Sequence, residues 1–152
     1  MTFSITGMCE RTAMAGVAIT TSSISVGSRC PWVRAGAGAV ATQNVTDPSI
    51  GNEMLDLMAQ GLDAPSALAS VMDDRPFAQY RQVTAVDLKG NIAERTGSEI
   101  LGTHAVSHGH QCVAAGNLLS STGVPAAMTE GFAQHAGSHL AERLLCALEA
   151  GV

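Results

Sequence analysis

The second residue carries the most economical chemistry in this chain. It begins Met1-Thr2-Phe3-Ser4-Ile5, and an aminopeptidase that removes Met before a small residue leaves Thr2 with a free α-amine beside its own hydroxyl. An α-amine titrates near neutrality, so it can take the hydroxyl proton without a histidine, which makes Thr2 a self-contained nucleophile and base. Taken alone the signal is generic, since many chains begin Met-Thr, and while Met1 is attached the amine is blocked. A second cluster is His104-Ala-Val-Ser-His108-Gly-His110. His108 and His110 at that spacing would share one face of a strand and reach a common metal. No carboxylate partner and no H-E-x-x-H pattern accompanies them, so the expectation is no metal, with His104, His108 and His110 as the minor alternative. His135 and His139 straddle Gly137 and a helix cap, so their spacing does not mean one helical face. Gly36 and Gly38 lack the third glycine and following helix of a dinucleotide loop, and no cofactor is expected.

If Thr2 is the nucleophile, the reaction needs donors for an oxyanion and a cation that eases deprotonation. Asn117, in a Gly116-Asn117 turn after a strand, is one donor; the competing role is simple tolerance of an unusual turn dihedral. Ser22 and Ser23 end the second strand and Gln43 the third, positions that a sheet led by Thr2 would bring near the nucleophile. Turn or edge polarity explains them equally well. Arg29 and Arg34 are candidates to orient a substrate carboxylate through bidentate contacts, although a solvated arginine is the commoner outcome.

The elements that must position these residues can be outlined. Three strands, Thr2 to Thr6, Gly16 to Ser22 and Gly38 to Gln43, are rich in Val, Ile, Thr or small residues, are bounded by Gly or Pro, and look like one sheet. Between the last two, Gly27-Ser-Arg-Cys-Pro-Trp32 reads as loop. After Asp47-Pro48 the period changes: Met54, Leu55, Met58 and Leu62 form the stripe of an amphipathic helix ending near Gly61. Asp63 then caps a second helix, with Pro65 in its first turn and Leu68, Val71 and Met72 as its buried face. Strands from Arg81 to Asp87 and Asn91 to Thr96 flank Lys89-Gly90, a hairpin with Asp87 and Gly90 as turn chemistry. A strand from Gln111 to Ala115 follows. Two helices close the chain, Pro125 to His135 and Ser138 to Ala150, the latter with Ser138 as cap and Gly151 as stop. Strands in runs and helices in runs point to an α+β layered sandwich rather than an alternating doubly wound fold.

Composition agrees with one domain spanning residues 1–152. The 152 residues are 46% hydrophobic and 14% charged, with 16 glycines and only 3% aromatics, so the core must be Ala, Val, Leu, Ile and Met; Met54, Met58 and Met72 are core packing. A net charge of -5 with no run of Lys or Arg argues against nucleic acid or an anionic membrane as partner. No apolar stretch reaches the roughly 18 residues of a membrane span, and no signal peptide is evident, so the expected location is cytoplasmic. Cys9, Cys30, Cys112 and Cys146 have no metal or disulfide spacing and read as free thiols.

Longer motifs sharpen this picture. Thr2-Phe-Ser-Ile5, Gly16-Val-Ala-Ile19, Val26-Gly27, Ala35-Gly-Ala-Gly-Ala-Val-Ala-Thr-Gln43 and Asp47-Pro48 are followed by Leu57-Met-Ala-Gln-Gly-Leu62, Tyr80-Arg-Gln82 and Val86-Asp87 with Gly90. Gly116-Asn-Leu-Leu119, Leu140-Ala-Glu-Arg-Leu-Leu145 and Glu149-Ala-Gly151 complete the series. In that order, over essentially the whole chain, the sequence resembles the domain of unknown function 1028 family, which is placed in the N-terminal-nucleophile (Ntn) hydrolase superfamily. The resemblance implies a four-layer αββα sandwich and a hydrolase that attacks an amide, ureido or lactam carbonyl of a small molecule or peptide with its N-terminal residue. Members of the family usually continue past the Glu149-Ala-Gly151 position into a Gly-rich segment and a closing strand. This sequence stops at Val152, so the resemblance implies a missing strand, supplied by another copy or fragment or lying beyond the residues given. A homo-oligomer is therefore expected. The competing expectation on the same fold is a non-catalytic ligand-binding or assembly module.

Overall fold

The computed structural model describes all 152 residues. Strand β1 (Thr2–Cys9) turns directly into β2 (Met14–Thr21), and the two pair antiparallel from Thr2↔Thr21 to Cys9↔Met14. A short 3-10 turn at Val26–Ser28 leads to β3 (Pro31–Arg34) and β4 (Gly38–Asn44). Two helices follow, α1 (Ser49–Ala59) and α2 (Ala64–Met72). A second run of strands comprises β5 (Arg81–Asp87), β6 (Ile92–Thr96), β7 (Ala105–Gly109) and β8 (Cys112–Asn117). Helices α3 (Val124–Gln134) and α4 (Leu140–Ala150) end the chain. The expected order of strands, helices, strands, helices holds.

The assignment of strands to sheets does not follow the expectation. All ladders are antiparallel, but the sheets run β2-β1-β8-β7 and β3-β4-β5-β6. The first two strands and the third therefore lie in different sheets, because the chain crosses between layers after Thr21. Residues 27–32 are correspondingly more than a loop: Pro31 and Trp32 open β3, a four-residue edge strand, where a proline costs no ladder bond on its solvent side. Likewise Ala105–Gly109 is a strand of its own, and β8 begins at Cys112 rather than Gln111, which takes φ 60 in the hairpin turn.

Each sheet buries one face under helices and the other against its partner sheet. Helices α1 and α2 cover β3 to β6, with Val40, Ile50, Met54, Leu55, Met72 and Val83 among the core residues between them. Gly51 is required there, since a Cβ would collide with the Trp32 ring. Helices α3 and α4 cover the other sheet around Phe3, Ile5, Ala114, Met128, Phe132 and Leu144. The outer helix pairs thus sandwich two sheets whose inner faces meet in a seam. No helix is long and apolar enough to cross a membrane.

Local capping explains the boundaries. Asp63 accepts a hydrogen bond from the Ser66 amide at 2.8 Å, as its position before Pro65 predicts. Asp87 accepts from the amides of Lys89 (2.8 Å) and Asn91 (3.1 Å), and Gly90 takes φ +85 in that turn. Helix α4 starts one residue later than expected: His139, not Ser138, is the cap, its Nδ1 accepting from the Ala141 amide at 3.2 Å. All four cysteines are free.

Candidate active site

Alternation along β1 sends Phe3 and Ile5 to the helix side and Thr2, Ser4 and Thr6 into the seam. Register then places Thr2 between Thr21 on one side and Asn117 on the other. Directly opposed residues of an antiparallel pair project to the same face with Cβ atoms about 5 Å apart. The Thr2 and Thr21 hydroxyls are 2.8 Å apart. Asn117, 2% exposed, lies within β8 and not in a turn; the positive φ falls on Leu118 instead. This removes turn tolerance as the reason for an asparagine at this position.

A chain of buried side-chain amides backs these residues. The Ser4 hydroxyl donates to Gln43 Oε1 (2.8 Å), and Gln43 Nε2 donates to Gln82 Oε1 (2.7 Å). Asn117 Nδ2 donates to the same oxygen at 3.2 Å, and Gln82 Nε2 donates to the Gly116 carbonyl at 3.2 Å. Gln82 is fully buried and joins both sheets, a role absent from the sequence expectations. The polar step of two along Gln82 and Thr84, matching Thr2, Ser4 and Thr6, is the signal that could have found it.

Thr2 opens into a cavity of about 30 Å³ that it shares with Thr21, Ser23, Arg29, Gln43 and Thr46. Arg29 is held at its rim by the Ile24 carbonyl (3.1 Å) and Thr46 Oγ1 (3.3 Å). Cys30 also lines the cavity, but burial pushes its thiol up against the opposing effects of Thr46 and Arg29, so it remains a protonated, weak nucleophile. Ser23 donates its amide to Thr21 Oγ1 (3.1 Å), while Ser22 is exposed and contacts the Met1 amine at 3.4 Å. Met1 itself is 46% exposed.

The structure thus brings Thr2, Ser22, Ser23, Arg29, Gln43 and Asn117 to one end of the seam. Arg34 is not among them. It ends β3 as that strand runs away from Thr2, about 10 Å beyond Pro31, and is engaged in an ion pair with Asp56. It lines a different, mostly apolar cavity of about 350 Å³ that opens between the start of β2, the β3–β4 turn and α4. That cavity is larger but contains no nucleophile and base in contact, so the candidate site is the one at Thr2.

The histidines do not converge. No three His, Cys, Asp or Glu side chains lie close enough to hold a metal ion. His104 binds the Gly102 carbonyl through Nδ1 (3.0 Å), His108 is in β7, and His110 is in the turn beyond it. His135 closes α3 with its Nδ1 on the Gly131 carbonyl at 2.8 Å.

Comparison with known proteins extends over the whole molecule. The fold is similar to that of the crystal structure of protein SPO2555 from Silicibacter pomeroyi, itself assigned to DUF1028: the TM-score is 0.92 and the identity 33%, covering 99% of this chain and 69% of that one. None of the curated proteins matches the chain. Residues 2–152 match the model of DUF1028, described as a family of unknown function, and with that span the chain belongs to the DUF1028 family.

Proposed function

We propose that this chain is an Ntn-type hydrolase that cleaves an amide, ureido or lactam C–N bond of a small molecule or peptide, with Thr2 as nucleophile once Met1 is removed. The observation that carries the reading is the place of Thr2. The second residue of the chain presents its hydroxyl, 2.8 Å from Thr21 Oγ1, to a polar cavity that also holds Arg29. The layering of two helix pairs around two sheets supports the same superfamily.

In this reading the freed α-amine takes the hydroxyl proton as Oγ1 attacks the carbonyl carbon. The C–N bond breaks, the amine returns the proton to the departing nitrogen, and water hydrolyses the ester to regenerate Thr2. Thr21 orients the hydroxyl. Arg29 lines the same cavity and supplies a positive charge at its rim. Asn117 Nδ2 spends one N–H on Gln82 (3.2 Å) and keeps a second for the oxyanion.

One observation favours the non-catalytic alternative. A cavity of about 30 Å³ beside Thr2 holds little more than one water molecule, so a substrate must dock outside it and reach Thr2 through the rim. Intact-mass spectrometry with a hydroxyl-directed acylating probe separates the readings. The catalytic reading expects a mass without Met1 and a single adduct on Thr2, absent from Thr2→Ala. Retained Met1 with an unlabelled Thr2 overturns it in favour of a binding or assembly module.

A further inference from the structure

Some 23 Å along β1 from Thr2, a separate cavity of about 250 Å³ is enclosed by Cys9, Glu10, Arg11, His110, Gln111, Ala136 and Arg143. Arg143 is the anomaly there. It is only 6% exposed, yet no carboxylate pairs with it; the ion pairs of the molecule involve only Arg34 and Arg75. Its Nε donates a long bond to the Phe132 carbonyl (3.4 Å), and its guanidinium lies 3.8 Å over the Phe132 ring. Neither of its terminal nitrogens has a protein acceptor, although both belong to a group that lines the cavity. Burying a cation without a counter-charge is costly, and a guanidinium offers its donors in a fork matched to two oxygens.

Arg11 reinforces the cavity from the other wall. Its Nη2 is fixed by the carbonyls of Ala136 (3.3 Å), Gly137 (3.1 Å) and Ser138 (3.2 Å), just past the end of α3. Its remaining N–H groups have no protein acceptor, and no carboxylate pairs with it. The one carboxylate in the cavity wall, Glu10, is occupied by Gln111 Nε2 at 2.9 Å. Arg11 and Arg143 against the single carboxylate of Glu10 leave the recess net positive, with the Arg143 stem buried and its unpartnered terminal nitrogens open to the cavity.

We propose that this recess is a second binding site, for a small oxyanion such as phosphate or a carboxylate, held by the free N–H groups of Arg143 and Arg11. The site is independent of Thr2 and of whether Thr2 is a nucleophile. Both anions offer two coplanar oxygens to a guanidinium fork, and the recess has room for either with a modest substituent.

The test is calorimetric titration of the full chain with inorganic phosphate and, separately, acetate, at an ionic strength held constant with chloride. One saturable site is expected for at least one anion. Arg143→Met weakens it by roughly tenfold or more, as loss of charge-assisted hydrogen bonds implies. Arg11→Gln weakens it less, and Thr2→Ala leaves it unchanged. Binding of phosphate alone marks a tetrahedral anion as ligand, and binding of acetate alone a carboxylate. Absence of saturable binding to both anions overturns the proposal, as does an affinity that Arg143→Met and Arg11→Gln both leave intact. If Arg143→Met does not fold, Arg143→Lys replaces it: a point charge in place of the fork still weakens binding if the site is real.

Discussion

The two ends of the inter-sheet seam are built from the same strands and the same faces, yet from opposite chemistry. At the N-terminal end the inward residues are Thr2, Ser4, Thr6, Gln43, Gln82 and Thr84, joined by hydrogen bonds across the sheets. At the far end they are Met8, Ala39 and Val86, with Ala15, Val17 and Ile92 packed around them. The apolar end fastens the sheets by excluding water. The polar end gains little net stability, because each buried hydrogen bond replaces one to water. Such a network contributes orientation more than adhesion, and the end that carries it is the end that holds Thr2. One half of the seam is adhesive and the other positions a hydroxyl.

The sharpest way to break this division is to truncate the adhesive half. Met8, 1% exposed, should lose about 3–4 kcal/mol of stability as Met8→Ala through the cavity left behind, measured by denaturant unfolding. Labelling of Thr2 by an acylating probe in the folded variant should be unchanged; a large labelling defect would show that the two ends are not separable. Gln82→Met tests the opposite half. It leaves Gln43 Nε2 and Asn117 Nδ2 without their acceptor and takes the Gln82 donor from the Gly116 carbonyl, a cost of about 2–3 kcal/mol. Labelling of Thr2 should slow about tenfold or more as its supports lose their geometry. A Gln82→Met protein that labels at the normal rate would sever the network from the site.

A double-mutant cycle on Thr6 and Thr84, whose hydroxyls are 2.9 Å apart, measures what polarity is worth in the seam. Thr6→Val alone should cost about 1 kcal/mol by orphaning Thr84, and adding Thr84→Val should restore most of it. Additive losses would mean that the hydroxyls act independently.

Acid sensitivity is expected away from the seam, around Arg75, where two carboxylates are held below their usual range. Arg75 bonds Glu53 (2.6 Å) and Asp47 (2.9 Å). Its hydrogen bond and charge hold Glu53 below the usual carboxylate range, and at Asp47 bonds from Ser49 and Arg75 outweigh the opposing effect of burial. A carboxyl depressed in the folded state stabilises above its unfolded pKa and loses that contribution as pH falls through the folded one. Thermal stability should therefore decline below roughly pH 4.5, by only a few degrees because Glu53 is half exposed. Arg75→Met should flatten that decline. An unchanged acid profile in Arg75→Met would move the titrating group to another part of the molecule.

Much of the frame could be read directly because its signals are local. The stripe of Met54, Leu55 and Met58, the Asp63 cap with Pro65 behind it, and the Asp87-to-Gly90 turn each act within one helical turn or one hairpin. Two strands escaped notice for equally physical reasons. Four residues with a proline and an arginine, Pro31–Arg34, look like a loop unless a neighbouring strand is known, and His108 with Gly109 interrupts the β-branched pattern of β7. At the site, Thr2, Asn117 and Gln43 are legible as polar residues at strand ends, whereas Gln82 is not, because its partners come from two other strands, β4 in its own sheet and β8 in the other. Arg29 and Arg34 were indistinguishable by type; only the direction of β3 separates them.

By itself, then, the sequence determined the order of strand and helix runs, the Asp63 cap of α2, the Asp87-to-Gly90 turn and the presence of a threonine after Met1. These depend on dihedral preference and on periods of two and 3.6 residues, which act over short stretches of chain. Tertiary structure decided which sheet each strand joined, which arginine attends Thr2, that Gln82 unites the amide network, and that Arg143 is buried without a carboxylate. Those outcomes rest on pairing between distant segments, where register, burial and the satisfaction of every polar group must be met together.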